Sequence, residues 1–279
     1  MKNPKFHPFC RHSLTLLAFL LIPALSYSQE PAKNVVYEPE VGQEGKDVVW
    51  VPTPQSLVDK MLEIAKVTPS DFLIDLGSGD GRTVITAAKK GISAIGIEYN
   101  PDMVELSKKN ATDAGVSDKA QFIKTDLFEY DFSKATVITM FLLPDINLKL
   151  RPKILEMKPG TRIVTNTFTM DDWQWDESAH SDDESTNWNT CYLWIVPARV
   201  EGTWNTGNGG KFIFLQNFQM LSGEITNGKK TDAITEGKLK GTEITFSAGG
   251  VNYTGIVEGN TMKGTLVRNG KTEDWKATR

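Results

Sequence analysis

Hydrophobic and polar positions along residues 54–196 alternate between two periods. Over residues 54–66, Leu57, Val58, Met61, Leu62, Ile64 and Ala65 recur at three- and four-residue spacing behind Pro54, which predicts a helix. Residues 72–76 form a short, almost unbroken apolar run, the pattern of a strand buried on both faces. The alternation then repeats. It predicts a helix over 82–90, a strand over 93–98, a helix over 101–114 opened by Pro101, and strands over 120–123 and 135–141. A helix over 145–157 stops at Pro159-Gly160, and strands over 161–165 and 192–196 follow. Strands separated by helices predict an α/β fold, with a parallel sheet covered on both faces.

The pattern changes near residue 198. Nine of the 23 glycines lie before residue 200 and fourteen after it, whereas Pro197 is the last of thirteen prolines. Short alternating runs, such as 212–215, 244–246 and 253–257, are divided by the turn pairs Asn227-Gly228, Gly259-Asn260 and Asn269-Gly270. This predicts a small all-β, barrel-like domain over 199–279, a meander of seven or eight strands. Its opening Gly202-Thr203-Trp204 bears a loose similarity to lipocalin-like barrels, which leaves open a ligand, a protein strand, a cell-envelope surface or a solubilising role.

Composition changes the picture at the start of the chain. Lys2, Lys5 and Arg11 precede an apolar run over 14–22, and Ser26 and Ser28 then present small side chains. That order is a secretory signal over 1–28, and it predicts export to the cell envelope or secretion. The run is shorter than the ~20 residues a membrane span needs, so an uncleaved membrane anchor is the alternative. A mature chain would keep Cys191 alone and hold no internal disulfide. Residues 1–28, 29–199 and 200–279 carry +3, −9 and +2, which sum to the net −4. A body that acidic argues against nucleic acid as partner. The expected organisation is a signal (1–28), an N-terminal extension (29–49), an α/β domain (50–198) and the β domain (199–279).

The strongest chemical signal is Asp75-Leu76-Gly77-Ser78-Gly79-Asp80-Gly81, between the first predicted strand and a helix. Glycines at alternate positions let a backbone turn tightly and approach a ligand closely. The spacing is neither that of dinucleotide enzymes nor that of a phosphate loop. Glu98 ends the second strand, where an acid can accept hydrogen bonds from both ribose hydroxyls. Asp126, with Leu127 and Phe128, follows the third strand. Each acid taken alone is equally a strand-end or cap residue.

The D-x-G-x-G-x-G turn resembles the S-adenosylmethionine loop of Rossmann-like methyltransferases. The series Val51-Pro52-Thr53-Pro54, Asp75 to Arg82, Gly96-Ile97-Glu98-Tyr99-Asn100-Pro101, Val137 to Pro144 and Lys158 to Val164 is similar to the mitochondrial lysine methyltransferases that act on the ATP synthase c subunit and on adenine nucleotide translocase, and to their bacterial relatives. The resemblance covers about residues 50–176. It implies a Rossmann-like methyltransferase sheet, S-adenosylmethionine as cofactor, and transfer to the lysine of a protein substrate. It implies cofactor contacts at Thr53, Asp75, Gly77, Ser78, Gly79, Gly81, Glu98, Asp126 and Leu127. Asp126 would face the adenine amine, and Thr53 would close the site.

Phe141-Leu142-Leu143-Pro144 stands where base-methylating enzymes often carry Asn/Asp-Pro-Pro-aromatic. Phe141 and Pro144 are candidates to line a channel for a long alkyl amine. Trp173 is a third, from the acid-rich segment 171–188, which also holds Trp175, His180 and Trp188. That segment reads equally as a solvated loop covering the sheet edge. No metal set is evident: the acid spacing is not that of a calcium loop, and two of the three histidines lie in the signal. No catalytic acid or base is identified. Two other functions stay open, an exported binding protein with a methyltransferase-like fold and no catalysis, and a small-molecule methyltransferase.

Overall fold

Successive residues of a strand point to opposite faces, so β1 (Phe72–Leu76) sends Leu73 into one core and Ile74 into another. Both are essentially unexposed, and the strand needs cover on each side. α1 (Gln55–Ile64), α2 (Arg82–Lys89) and α3 (Pro101–Asp113) cover the Leu73 face. α4 (Pro144–Leu155) covers the Ile74 face with Ile146, Leu150 and Ile154. Pro101 opens α3, and the Asn100 side chain caps it by accepting from Asp102 N at 2.9 Å.

The computed structural model describes Met1, residues 37–183 and residues 186–279, and Tyr37–Arg279 form one compact unit. Residues 2–28 of the expected signal, residues 29–36 of the extension, and Glu184 and Ser185 lie outside the described residues.

The remaining strands of the sheet are β2 (Ser93–Glu98), β3 (Ala120–Lys124), β4 (Val137–Met140), β5 (Arg162–Asn166), β6 (Glu177–His180) and β7 (Thr190–Ile195). Their order is β3-β2-β1-β4-β5-β7-β6. The first five are parallel, as the alternation of strands and helices predicts. β7 runs antiparallel to both of its neighbours, β5 and β6, because no crossover helix separates these three strands. Part of the acid-rich segment is therefore edge strand rather than loop. After β3 the chain returns to the other side of β1, so strand order reverses between β1 and β4. Open α/β sheets bind ligands at that point, beyond the carboxyl ends of the strands.

The C-terminal strands β8 (Gly202–Thr206), β9 (Lys211–Asn217), β10 (Met220–Asn227), β11 (Lys230–Lys240), β12 (Glu243–Ala248), β13 (Val251–Glu258), β14 (Thr261–Arg268) and β15 (Lys271–Thr278) close into an antiparallel barrel. Closure is the pairing of Ala277 and Thr278 with Thr206 and Asn205. Eight strands leave an interior just wide enough for side chains. Here Trp204, Phe212, Phe214, Phe246, Tyr253 and Trp275 fill it.

The β9–β10 turn of the barrel meets the sheet domain. Phe218 stacks on Trp173 with centroids 5.7 Å apart and planes at 15°. The neighbouring Gln219 is buried and donates to the Gln174 carbonyl at 2.6 Å.

Candidate functional site

A cavity of about 440 Å³ opens beyond the carboxyl ends of β1, β2 and β4. The turn after β1 forms its floor. The amides of Gly77 and Ser78 donate to the Ile97 carbonyl at 2.9 and 3.0 Å, which ties the loop to β2. Gly79 has φ +53°, and a Cβ there would lie 2.6 Å from Trp50 Nε1. Only glycine leaves that backbone open to the space beneath Trp50. Gly81 has a different task. Its φ of +83° starts α2, and a Cβ would strike the Phe122 ring at 2.7 Å. Gly81 is thus a packing requirement and lies outside the cavity wall.

Glu98 ends β2 and faces this loop. Its two carboxylate oxygens accept from Gly79 N and Asn100 N, each at 2.9 Å. A carboxylate has about four lone-pair sites, so both oxygens retain capacity for further donors. Asp126 closes the far side, accepting from Phe128 N at 2.9 Å and pairing with Lys46. The hydrogen bond from that ammonium, with the Phe128 amide, holds the Asp126 carboxyl below the usual carboxylate range. Lys46 also lies 5.1 Å from the centre of the Tyr99 ring, another wall residue.

Asp75 is buried at the end of β1, where its Oδ1 accepts from Thr139 Oγ1 at 2.6 Å. Burial pushes its carboxyl up to about 7, aided by the charges of Glu98 and Asp80 and opposed by the Thr139 hydroxyl. Thr53 is held twice: its hydroxyl accepts from Asn166 Nδ2 at 3.2 Å, and its carbonyl accepts from Arg82 Nη1 at 2.9 Å. Arg82 is itself paired with Asp80 of the glycine loop at 2.6 Å.

The structure thus brings Thr53, Asp75, Gly77, Ser78, Gly79, Glu98, Asp126, Leu127 and Phe141 into one wall. Two of the expected channel residues lie elsewhere. Pro144 is exposed at the first turn of α4, while Leu142, Leu143 and Ile146 around it line the cavity. Trp173 is fully buried against Trp194 and Phe218, and its carbonyl accepts from Trp194 Nε1 at 2.7 Å. Its place is the seam with the barrel. The tryptophan of the acid-rich segment that reaches the cavity is Trp188.

Two acids of that segment serve structure. Asp172 pairs with Arg151 at 2.5 Å, and Asp176 accepts from Ile195 N at 2.9 Å and meets Lys238 at 3.4 Å. Cys191 is buried within β7, and burial pushes its thiol up to about 11, out of the range of a reactive thiolate.

Sequence reasoning missed the strap over the cavity. Residues 43–50 lie in the expected extension or at its border, and they line the cavity from above. Two signals were available: Trp50 precedes the Val51-Pro52-Thr53-Pro54 motif, and Lys46 is a cation in an acidic body. It also missed Phe168, which follows the end of β5.

A family model described as the ANTKMT methyltransferase domain matches residues 75–177. A protein-lysine N-methyltransferase of Saccharolobus islandicus (strain REY15A) is 43% identical over 152 residues, which is 53% of this chain and 94% of that protein. The human lysine N-methyltransferase of the ATP synthase C subunit is 34% identical over 125 residues, covering 44% of this chain and 53% of its own length. This chain therefore spans nearly all of the archaeal relative and about half of the human one. A crystal structure from Salinibacter ruber, described as an RNA methyltransferase in complex with S-adenosyl-L-homocysteine, aligns with TM-score 0.50 and 46% identity over 54% of this chain and 96% of that one. These alignments reach at most 54% of this chain.

Proposed function

From the premise that this chain belongs to the family of the archaeal protein-lysine N-methyltransferase, whose members are S-adenosylmethionine-dependent methyltransferases, we propose that it methylates the ε-amine of lysine in a protein substrate. The observation that carries the proposal is the single cavity that joins the glycine loop, Glu98 and Asp126 to an apolar end at Phe141, Leu142 and Leu143.

The residues present fit the cofactor. Gly79 offers backbone where a Cβ would fill the space, and Glu98 keeps lone pairs for two hydroxyls. We assign the ribose to Glu98, the adenine amine to Asp126, the adenine face to Leu127, and the methionine end to the loop over Asp75 and Gly77–Gly79. When bound, S-adenosylmethionine supplies an activated methyl group on a sulfonium. The chain's own work is positioning and exclusion of water. The strap at residues 43–50 covers the cavity, and Arg82 locks Thr53 to the glycine loop. A lysine needs a free lone pair to accept the methyl. The apolar wall of Phe141, Leu142 and Leu143 keeps bulk water from the amine, which must give up its proton before it takes the methyl.

The acidity of residues 29–199 favours a cationic protein substrate over a phosphate backbone. The test is incubation of the full chain with methyl-labelled S-adenosylmethionine and either lysine-containing peptides, the same peptides acetylated at lysine, or RNA. Label confined to free-lysine peptides is the expected result. Label in RNA alone, or in neither, overturns the proposal. The basic, apolar and small-residue order of residues 1–28 further supports action beyond the cytoplasm, and a compartment-sensitive reporter on the C-terminus tests that placement.

A further inference from the structure

Three rings meet at the apolar end of the cavity. Phe141 follows β4, Phe168 follows β5, and Trp188 precedes β7. β7 runs antiparallel to β5, so its first residues lie at the same edge as the last residues of β4 and β5. The ring centroids lie 5.4 Å (Phe141–Trp188), 5.9 Å (Phe168–Trp188) and 6.0 Å (Phe141–Phe168) apart. All three line the cavity, and all three are half-buried.

The backbone fixes this wall firmly. Thr167 stands in the left-handed region at φ +58°, and its amide donates to the Thr190 carbonyl at 2.8 Å. The Phe168 carbonyl accepts from Thr165 Oγ1 at 2.5 Å and, more loosely, from Asn147 Nδ2 at 3.4 Å. A non-glycine residue in that conformation persists only where its surroundings hold it there.

Charge then distinguishes these rings from others. Among the described residues, side-chain cations lie over Tyr99, Phe132, Phe218 and Trp204, and none of the three wall rings is in that set. The described cavity lining holds six carboxyl side chains and two cations. Both cations are paired with carboxylates, Arg82 with Asp80 and Lys46 with Asp126. A half-exposed aromatic wall in an electronegative cavity attracts a weakly hydrated cation.

We infer that Phe141, Phe168 and Trp188 form a recognition site for an alkylammonium, with preference for a methylated one. The inference rests on the lysine reading above and adds to it the residues that discriminate the nitrogen's charge and substitution. Each methyl replaces a hydration site with an apolar surface that packs against a ring, so the methylated cation loses less water on entering than a bare ammonium does. A neutral group of the same shape keeps the apolar contact and loses the attraction to the ring faces.

The test uses the full chain saturated with S-adenosylhomocysteine, so that the cofactor end is filled. Choline and its neutral isostere 3,3-dimethylbutan-1-ol are titrated by ligand-observed NMR. Choline is expected to bind about tenfold more tightly, the size of a partly desolvated cation–π contact. Trp188→Leu, and separately Phe168→Leu, are expected to remove that selectivity while S-adenosylhomocysteine affinity stays as in the parent. Equal affinity for the two probes in the unaltered protein overturns the inference and needs no variant to interpret. Selectivity that survives both substitutions also overturns it. Lysine methylation without choline selectivity would sink this site and leave the proposed function standing. Choline selectivity in a protein that methylates no lysine peptide would do the reverse.

Discussion

In the barrel, Phe212, Phe246, Tyr253 and Trp275 pack with ring centroids between 4.6 and 6.1 Å apart, and each is buried. At the edge of the sheet, Phe141, Phe168 and Trp188 lie at nearly the same spacing, from 5.4 to 6.0 Å, yet stay half-buried on a cavity. The same residue type at the same separation is core in one region and a surface for a ligand in the other. Topology makes the difference. A closed barrel of eight strands has no edge, and here aromatic side chains fill its interior. An open sheet whose strand order reverses leaves a crevice that no side chain of the sheet fills. Ring clustering alone therefore says little about function. Ring clustering at a switch point, beside a glycine loop and two strand-end acids, says more.

The sharpest way to break this comparison is to hollow the barrel. Trp275→Ala removes a buried ring whose Nε1 donates to the Thr254 and Thr265 carbonyls, both at 3.1 Å. A loss of about 3–5 kcal/mol is expected, read by denaturant unfolding, with S-adenosylhomocysteine affinity unchanged in the folded protein. Affinity that falls in step with stability would mean the barrel is part of the site. The second substitution works on the cavity. Glu98→Ala should weaken S-adenosylhomocysteine binding by about 1.5–3 kcal/mol in calorimetry, the range for hydrogen bonds to a charged group. An unchanged affinity would remove Glu98 from the ribose assignment.

Asp75 offers a test by pH. Its carboxyl is raised from the ordinary aspartate value of 3.8 to about 7, chiefly by burial. The folded chain therefore holds a proton that the unfolded chain releases over that interval. The associated stability is fully present below about pH 4 and is lost as pH rises through about 7. Asp75→Asn is neutral throughout and can still accept from Thr139. Its Tm is expected to be flatter than the parent's between those limits and higher than the parent's above pH 7. An Asn variant that keeps the parent's slope would place the titrating group elsewhere.

The smallest effect is expected at the seam. Phe218 has φ +52° and stacks on Trp173, and the Arg151 guanidinium lies 5.3 Å from its ring centre. Phe218→Gly loses a stack worth about 0.5–1.5 kcal/mol and the partial burial of the ring, worth about 1–2 kcal/mol, and relieves a left-handed backbone costing about 1–2 kcal/mol, so a net loss of about 1 kcal/mol is expected. A much larger loss would show that the ring, rather than the backbone turn, joins the two regions.

Much of this protein was determined by sequence alone. The five parallel strands and their helices follow from local apolar periodicity, and the barrel strands follow from alternating runs between Asn-Gly and Gly-rich turns. These signals are short-range, because hydrogen bonding and burial set the period of each element within a few residues. The glycine loop, Glu98 and Asp126 were legible for a related reason: each stands at a fixed offset from the end of a strand. The antiparallel β6 was hidden because its residues Glu177, Ser178, Ala179 and His180 lack an apolar pattern and sit at the sheet's edge. The substrate end of the cavity was decided only by tertiary structure. Phe141, Phe168 and Trp188 are far apart in the chain, and they meet because β4, β5 and the reversed β7 share one edge. Trp173 and Trp188 belong to one stretch of sequence, yet one is sealed against the barrel and the other faces the cavity. No local pattern encodes that choice, because it depends on how strands distant in sequence stack side by side.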